Sequence, residues 1–266
     1  MGMDVPDRIH ISPLGYEYDR VVKPAVDYKA DCVYLLEHEE PDSEKPEYHA
    51  TLKEELRQTG VTVQPVQCDI FDLYTVLGKV AEIITAHRND EVYVNLSTGS
   101  KISAIGGMIA CMVTRESASV TPYYVRAEGY TSENEDKEET PVSFGMAAIS
   151  ELPTYPIQGP SQEEIVMLQY IADEQPITKK QLIRHAREVV DRFRRNAEEK
   201  DIKIDDDPHM GEYRLLDTHI LNPLMERECI EITEVGRSKE ITPTEEGHNT
   251  LRAFDYLLDD DSSGVR

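Results

Sequence analysis

Asn95-Leu-Ser-Thr-Gly-Ser-Lys101 forms a turn between a strand-like run, Glu91 to Val94, and an apolar helix-like run, Ile102 to Thr114. Backbone N–H groups at the start of a helix attract anions, and Lys101 adds a full positive charge. The hydroxyl groups of the turn can both donate and accept hydrogen bonds. This composition is typical of a site for a phosphate or another nucleotide oxygen. It is equally typical of a Ser/Thr helix cap followed by a helix.

Strand-like and helix-like segments alternate around this turn, from residue 8 to about residue 157. The hydrophobic patterns predict strands at Arg8–Leu14, Cys32–Glu37, Val61–Val66, Glu91–Leu96 and Ser119–Val125, and an edge strand at Val142–Ile149. They predict intervening helices at residues 17–30, 46–60, 71–88 and 102–114. This order indicates an α/β fold, a Rossmann-like doubly wound and mostly parallel sheet with strand order 3-2-1-4-5.

The strand order brings two polar turns together. Strands one and four are neighbours in it, and ligands bind where the order reverses, at the carboxyl ends of the strands. The first strand ends in Ser12-Pro-Leu-Gly15, opposite the Asn95–Lys101 turn. The predicted ligand-binding residues are therefore those of both turns: Ser12, Leu14, Gly15, Asn95, Ser97, Thr98, Gly99, Ser100 and Lys101.

A linker with three prolines and one glycine, Pro153 to Ser161, predicts a domain boundary, with domains at residues 1–157 and 158–266. The second half carries helix patterns at residues 162–173, 179–195 and 213–227, with a kink or restart at Pro223 and a polar break at 199–211. Two short strands, 229–233 and 237–242, and a closing helix, 245–258, follow. Three helices, a hairpin and a final helix predict a winged helix-turn-helix.

Segments of the two predicted domains resemble two known families. Asn95-x-Ser97-x-x-x-Lys101, placed after the fourth strand, resembles the [Asp/Asn]-x-[Ser/Thr]-x-x-x-[Arg/Lys] signature of CARF domains, the CRISPR-associated Rossmann-fold family, and Ser12–Gly15 matches that family's weaker ligand-loop motif. The segments 220–232, 236–239 and 242–247 are similar to winged-helix domains of prokaryotic transcription regulators. The insertion at about residues 196–211 departs from the tight turn usual in those domains.

The combined resemblance implies a CRISPR-linked transcriptional regulator that forms a homodimer through its Rossmann domain. The implied ligand is a cyclic oligoadenylate, or a related nucleotide, bound across the two-fold axis. Lys101 would then contact a phosphate or ribose oxygen, and Asn95 would fix the turn or read an adenine edge. The alternatives are a metal-independent ring nuclease that degrades the ligand, and a winged-helix regulator with a different ligand. We predict no catalytic residue, no metal and no cofactor.

The predicted DNA-binding residues begin in a basic run, residues 176–195, which has seven Lys/Arg against two acids. Such a run is either a solvated helix face or, on the second helix of a winged helix, a set of phosphate contacts. We favour DNA. The candidates are Lys179, Lys180, Arg184 and Arg187 in this run, Arg214, Thr218 and His219 on the third helix, and Arg237 and Lys239 on the wing.

The composition indicates where the protein works. Its 266 residues include 52 acidic and 28 Lys+Arg residues, a formal net charge of -24 spread without a dominant acidic block. This predicts a folded halophilic protein, since molar salt screens self-repulsion, although an acidic mesophilic protein is the alternative. Four scattered cysteines and the absence of an apolar signal core or membrane-length segment predict a reduced, cytoplasmic protein without membrane contact.

Overall fold

A computed structural model describes residues 5–38, 45–132, 135–235 and 238–258, except for the side chain of residue 238. The chain divides into two compact units, residues 1–158 and 159–266. The first unit is built on a six-stranded sheet of order β3-β2-β1-β4-β5-β8. Its strands are β1 (Arg8–Pro13), β2 (Cys32–Glu37), β3 (Thr62–Gln67), β4 (Glu91–Asn95), β5 (Ser119–Arg126) and β8 (Ala148–Glu151).

The first five strands are parallel, and helices connect them. These helices are α1 (Asp19–Asp27), α2 (Tyr48–Gln58), α3 (Leu73–Ala86) and α4 (Lys101–Thr114). Apolar side chains of α1, α2 and β2 share one core cluster, which includes Val21, Leu35 and Leu52. The strand order and the parallel pairing confirm the predicted Rossmann-like, mostly parallel fold class.

The edge of this sheet differs from the prediction. The expected strand at 142–149 is replaced by a two-residue pair, β6 (Gly129–Tyr130) with β7 (Ser143–Phe144), and by β8, which pairs antiparallel to β5. The chain turns at Gly145, whose φ of +70° favours glycine and ends β7 before β8 begins. The predicted edge strand was therefore too early by several residues.

The second unit is a winged helix. Its helices are α5 (Gln162–Glu174), α6 (Lys179–Val189), α7 (Asp191–Glu199), α8 (Met210–Leu216), α9 (Asn222–Glu226) and α10 (Glu245–Phe254). The hairpin of β9 (Ile230–Val235) and β10 (Ser238–Pro243) forms the wing, and Ile177 adds a short antiparallel bridge to Ile241. One buried cluster joins these elements, with Leu168, Leu182 and Leu224 among its members.

Two helices of this unit are divided where the sequence predicted continuous helices. The predicted helix 179–195 ends at Val189, and Val190 takes an extended conformation before α7 begins. The predicted helix 213–227 starts at Met210 and contains a π-helical turn, Asp217–Leu221, before α9. Pro223 lies just after the π-helical turn, and the chain stays helical through it, so the expected kink or restart takes the form of a π-helical turn.

Among the helices in the described part of the chain, none combines the length and the apolar character that crossing a membrane requires.

Candidate functional site

The two polar turns of the first unit touch each other. Strands β1 and β4 are neighbours with Ile11 paired to Val94, so the turns that follow them leave the sheet side by side. A Cβ atom on Gly15 would lie only 2.9 Å from the Cα of Gly99. Gly99 itself has a φ of +73°, the left-handed conformation that glycine adopts most easily. Glycine at both positions therefore allows the close approach of the turns.

Asn95 fixes the shape of the second turn. Its side chain is fully buried, its amide nitrogen donates to the carbonyl of Arg20 at 2.8 Å, and its oxygen accepts from the backbone N–H of Ser97 at 3.0 Å. The Ser97 hydroxyl donates to the same oxygen. Both polar atoms of the Asn95 side chain are thus engaged within the chain and hold the turn, which is the first of the two roles expected for this residue.

The next residues of the turn have different surroundings. Thr98 is 2% exposed, and its hydroxyl has no hydrogen-bond partner among the described residues. Ser100 is the N-cap of α4, since its hydroxyl accepts from the backbone N–H of Ser103 at 2.9 Å and donates to the carbonyl of Ile70. Lys101 follows as an exposed first residue of α4. The turn thus contains a helix cap and, beside it, an exposed cation and an unpaired hydroxyl.

Glu17 is a site residue that the sequence patterns did not indicate. Its buried carboxylate accepts the backbone N–H of Gly99 at 3.2 Å. Burial raises the pKa of Glu17, although the Gly99 hydrogen bond and the charge of Arg20 oppose that shift. One of the N–H groups expected to bind an anion is therefore already paired with a carboxylate of the chain.

Ser12 lies beneath the turns and does not face their open side. It is buried, and its hydroxyl is hydrogen-bonded to the hydroxyl of Tyr123, which also lies 3.1 Å from Nδ1 of His10. Burial raises the pKa of Tyr123 and lowers that of His10 to about 4, so both side chains are neutral at pH 7. The expectation that Ser12 forms a wall of the ligand site is thus corrected, because its hydroxyl is used in the interior.

A cavity of about 130 Å³ opens beside the turns. Predicted site residues supply part of its wall. The rest comes from Tyr16 before α1, from the end of β2, from the segment around the start of α2 and from the segment before α3. The lining consists of Leu14, Gly15, Gly99 and Ser100 from the turns, and of Tyr16, Glu37, His38, Lys45, Pro46, His49, Ile70 and Phe71. These last eight residues could not be predicted from the sequence, because they share no motif and no regular spacing.

The added wall is partly apolar and partly charged. The ring of His38 meets the ring of Phe71 edge to face, with 5.1 Å between centroids. The carboxylate of Glu37 lies 2.6 Å from Nζ of Lys53 and 3.9 Å from Nζ of Lys45. His49 donates from Nε2 to the carbonyl of Gly15 at 2.8 Å and so holds the first turn. The lining therefore offers both an aromatic surface and charged groups to a bound molecule.

In the second unit, Arg187 does not face solvent. Its side chain is 1% exposed and makes a two-bond ion pair with the buried carboxylate of Glu212, at 2.7 and 2.8 Å. Its guanidinium also donates to the carbonyls of residues 203, 204 and 206. The expected DNA contact of Arg187 is therefore replaced by a structural role, anchoring the insertion between α7 and α8.

The other candidate DNA-binding residues are accessible to different degrees. Lys179, Lys180 and Arg184 are half-buried on α6, where each contacts an acidic residue or a carbonyl. Four candidates lie further along the chain: Arg214 and Thr218 are exposed one turn apart, His219 is half-buried, and Lys239 on the wing is exposed 3.5 Å from Glu234. Arg237 lies outside the described residues.

In a comparison with known proteins, each of the two units matches a separate family model. Residues 8–130 match the family model HFX_2341_N:-like, N-terminal, and residues 163–255 match the DUF6293 C-terminal winged helix domain. An uncharacterized protein of Methanocaldococcus jannaschii is 26% identical over 198 residues, which is 65% of this chain and 59% of that protein.

Two solved structures are similar at low identity. Can2 from Sulfobacillus thermosulfidooxidans, in complex with cyclic tetra-adenylate, is 12% identical over 97% of this chain and 66% of its own, with a TM-score of 0.38. Enterococcus italicus Csm6, bound to cyclic hexa-2′-fluoro-hexa-dAMP, is 10% identical over 55% of this chain and 41% of its own, with a TM-score of 0.39. The chain spans less than two thirds of the length of each of these relatives.

The fold and the matches define a two-domain chain in which a Rossmann-like domain precedes a winged helix domain. The predicted fusion of these two domain types is confirmed at the level of the fold. The C-terminal unit is similar to the DUF6293 C-terminal winged helix domain over residues 163–255.

Proposed function

We propose that this protein is a ligand-responsive, DNA-binding transcriptional regulator. Its CARF-like unit binds a cyclic oligoadenylate or a related nucleotide, and its winged helix binds DNA. The observation that carries the proposal is the contact between the Ser12–Gly15 and Asn95–Lys101 turns at the point where the strand order reverses. Ligands of doubly wound sheets bind at that point. The ligand class follows from the resemblance of the second turn to the CARF signature.

The side chains around the turns suit a nucleotide. Lys101 offers an exposed charge for a phosphate or ribose oxygen. The adjacent cavity has Phe71 on an apolar side and Glu37 on a polar side, so it can stack and hydrogen-bond a planar base. Because Glu17 already holds the Gly99 N–H, we assign the phosphate to Lys101 and not to the helix N-terminus as a whole.

The surface of α4 supports a homodimer. Ile102 and Ile105 are 37% and 50% exposed one turn apart, directly after Lys101. Exposed apolar side chains that follow a polar site are typical of a surface covered by a partner. If a second copy covered this face, its own turn would lie near the first one, and a symmetric ring would meet two equivalent sites.

The DNA side of the proposal rests on the winged helix domain itself. Arg214 on α8 and Thr218 on the π-helical turn are exposed, and we assign this helical segment the part of the recognition helix that reads bases in winged helix domains. Lys180 and Arg184 on α6 are placed for phosphate contacts. The net charge of -24 opposes DNA binding at low ionic strength, and screening in a halophilic cytoplasm would reduce that opposition.

Calorimetric titration of cyclic tetra-adenylate in about 2 M KCl is expected to give one ring per two chains. Lys101→Ala is expected to weaken binding about tenfold, because it removes a charged contact to the ligand. Lys79→Ala is the matched control, since Lys79 is a half-buried surface lysine of the same unit that pairs with Glu82 on α3. Equal affinities for the two variants would reduce the Asn95–Lys101 turn to a helix cap. Chromatography of the ring after incubation separates a sensor from a ring nuclease.

Saturating ring is expected to change the affinity for a duplex from the region upstream of the protein's own gene by at least about fivefold. The reason is that a regulator must bind its ligand more tightly in one dimer arrangement than in the other. Electrophoretic retardation at high salt, with and without the ring, measures the change. Lys101→Ala should abolish it. A ring that binds tightly but leaves retardation unaltered would rule out the regulatory coupling.

A further inference from the structure

The outward side of α6 is occupied by an acidic segment of the same chain. Nζ of Lys180 lies 2.5 Å from Oδ1 of Asp207, and the guanidinium of Arg184 lies 3.8 Å from the same oxygen. Arg184 also donates to the carbonyl of Asp205 at 2.9 Å. Two of the cations placed for DNA phosphates on this helix are therefore paired with residues of the insertion, 203–207.

The insertion is held in this position by buried contacts. Arg187 donates to the carbonyls of residues 203, 204 and 206 at 2.8 to 3.0 Å, and the ion pair with buried Glu212 fixes the guanidinium. Asp206 accepts the backbone N–H of Lys203 at 2.9 Å, which closes the loop on itself. These hydrogen bonds fix the loop, and the fixed loop places Asp207 next to Lys180 on α6.

The contact itself is at the surface and is easily exchanged. The Asp207 side chain is 81% exposed, and those of Lys180 and Arg184 are 44% and 37% exposed. Surface ion pairs contribute little free energy, because water and salt screen them. The hydrogen bond from Lys180 and then its charge lower the pKa of Asp207, which keeps this carboxylate ionised at neutral pH.

A carboxylate and a carbonyl oxygen here make the contacts that phosphate oxygens make with lysine and arginine. We propose that the insertion is an internal competitor for DNA: a duplex phosphate reaches Lys180 and Arg184 only by displacing Asp207. The inference rests on the proposed DNA binding by the winged helix. The insertion is absent from the usual helix-turn-helix. In this proposal it lowers the affinity for DNA, so that only a duplex that makes enough other contacts displaces Asp207.

The test compares Asp207→Asn with Asp205→Asn. Both variants remove one negative charge from the loop, but Asp205 contacts Arg184 through its backbone carbonyl, which the substitution leaves in place. Binding of a fluorescein-labelled duplex from the region upstream of the gene is followed by anisotropy over a KCl series. We expect Asp207→Asn to bind about two- to fivefold more tightly than Asp205→Asn, with the larger difference at lower salt.

A second comparison identifies the cation. In a Lys180→Gln background, the gain from Asp207→Asn should shrink towards that of Asp205→Asn, because the closer of the two pairs no longer exists and only Arg184, at 3.8 Å, still faces Asp207. Equal binding by the two loop variants, with clear binding by the wild type, would overturn the competitor and leave the proposed DNA binding standing. If neither the wild type nor any variant retards or binds the duplex at the lowest salt, both proposals fail. Circular dichroism checks that all variants are folded.

Discussion

Arg187→Met is expected to lower the free energy of unfolding of the winged-helix unit by about 3–5 kcal/mol, because removal of one partner leaves a buried charge uncompensated. Glu212, whose side chain is fully buried, would keep its contacts with His209, which are the side-chain Nδ1 at 2.7 Å and the backbone N–H at 3.1 Å. Three carbonyls of the insertion would also lose their donor. Urea unfolding of the full chain, followed by circular dichroism, measures the change.

Arg184→Met is the control for this prediction. Arg184 is on the same helix and is 37% exposed, so its replacement is expected to change stability by less than about 1 kcal/mol. The double variant Arg187→Met with Glu212→Met should recover most of the loss, since both charges leave the interior together. If Arg187→Met were no more harmful than Arg184→Met, the buried ion pair would not hold the insertion.

The same pair sets a pH dependence. Burial raises the pKa of Glu212, but hydrogen bonds from Arg187 and His209 outweigh burial and leave the pKa below its usual value. A carboxyl group with a lowered pKa in the folded state adds stability above its ordinary pKa. That stability is lost as the pH falls through the lowered value.

The sequence was sufficient for the sheet order and for the meeting of the two turns. The apolar run of β2 and the alternation of strands with helices are compatible with few folds other than a doubly wound parallel sheet. In the common order of such a sheet β1 and β4 are neighbours, as they are here. The remaining cavity wall could not be predicted, because His38, His49 and Phe71 come from three separate segments. Whether these side chains come together depends on how each connecting segment packs over the sheet, and the spacing of residues in the sequence does not indicate that packing.

The burial of Arg187 could have been predicted from its position on the helix, but the basic character of the whole run was given more weight. Arg187 follows Ile183 by four residues and so shares the buried face of α6, whereas Lys180 and Arg184 lie on other faces. Counting charges over the run treated these residues alike. The partner of Arg187 could not be foreseen, because Glu212 lies 25 residues away, beyond an insertion with no recognisable pattern.

Gly99→Ala is expected to cost the first unit about 1–2 kcal/mol for the left-handed backbone and a further 1–3 kcal/mol for overpacking. Its Cβ atom would lie 2.6 Å from the Cβ of Pro13 and 2.8 Å from Oγ of Ser103, so the two turns must separate. Because those turns form the proposed ligand site, calorimetry on the folded variant should detect no binding of cyclic tetra-adenylate.

Gly60→Ala separates the two costs of that substitution. Gly60 has a φ of +89°, close to that of Gly99, but no atom lies within 4 Å of the position of its Cβ. It should therefore lose only the backbone contribution of about 1–2 kcal/mol and bind the ring as the wild type does. Urea unfolding of both variants gives the difference. Equal stability together with unimpaired ring binding by Gly99→Ala would show that close contact between the turns is unnecessary, and the ligand would then have to bind elsewhere on the sheet.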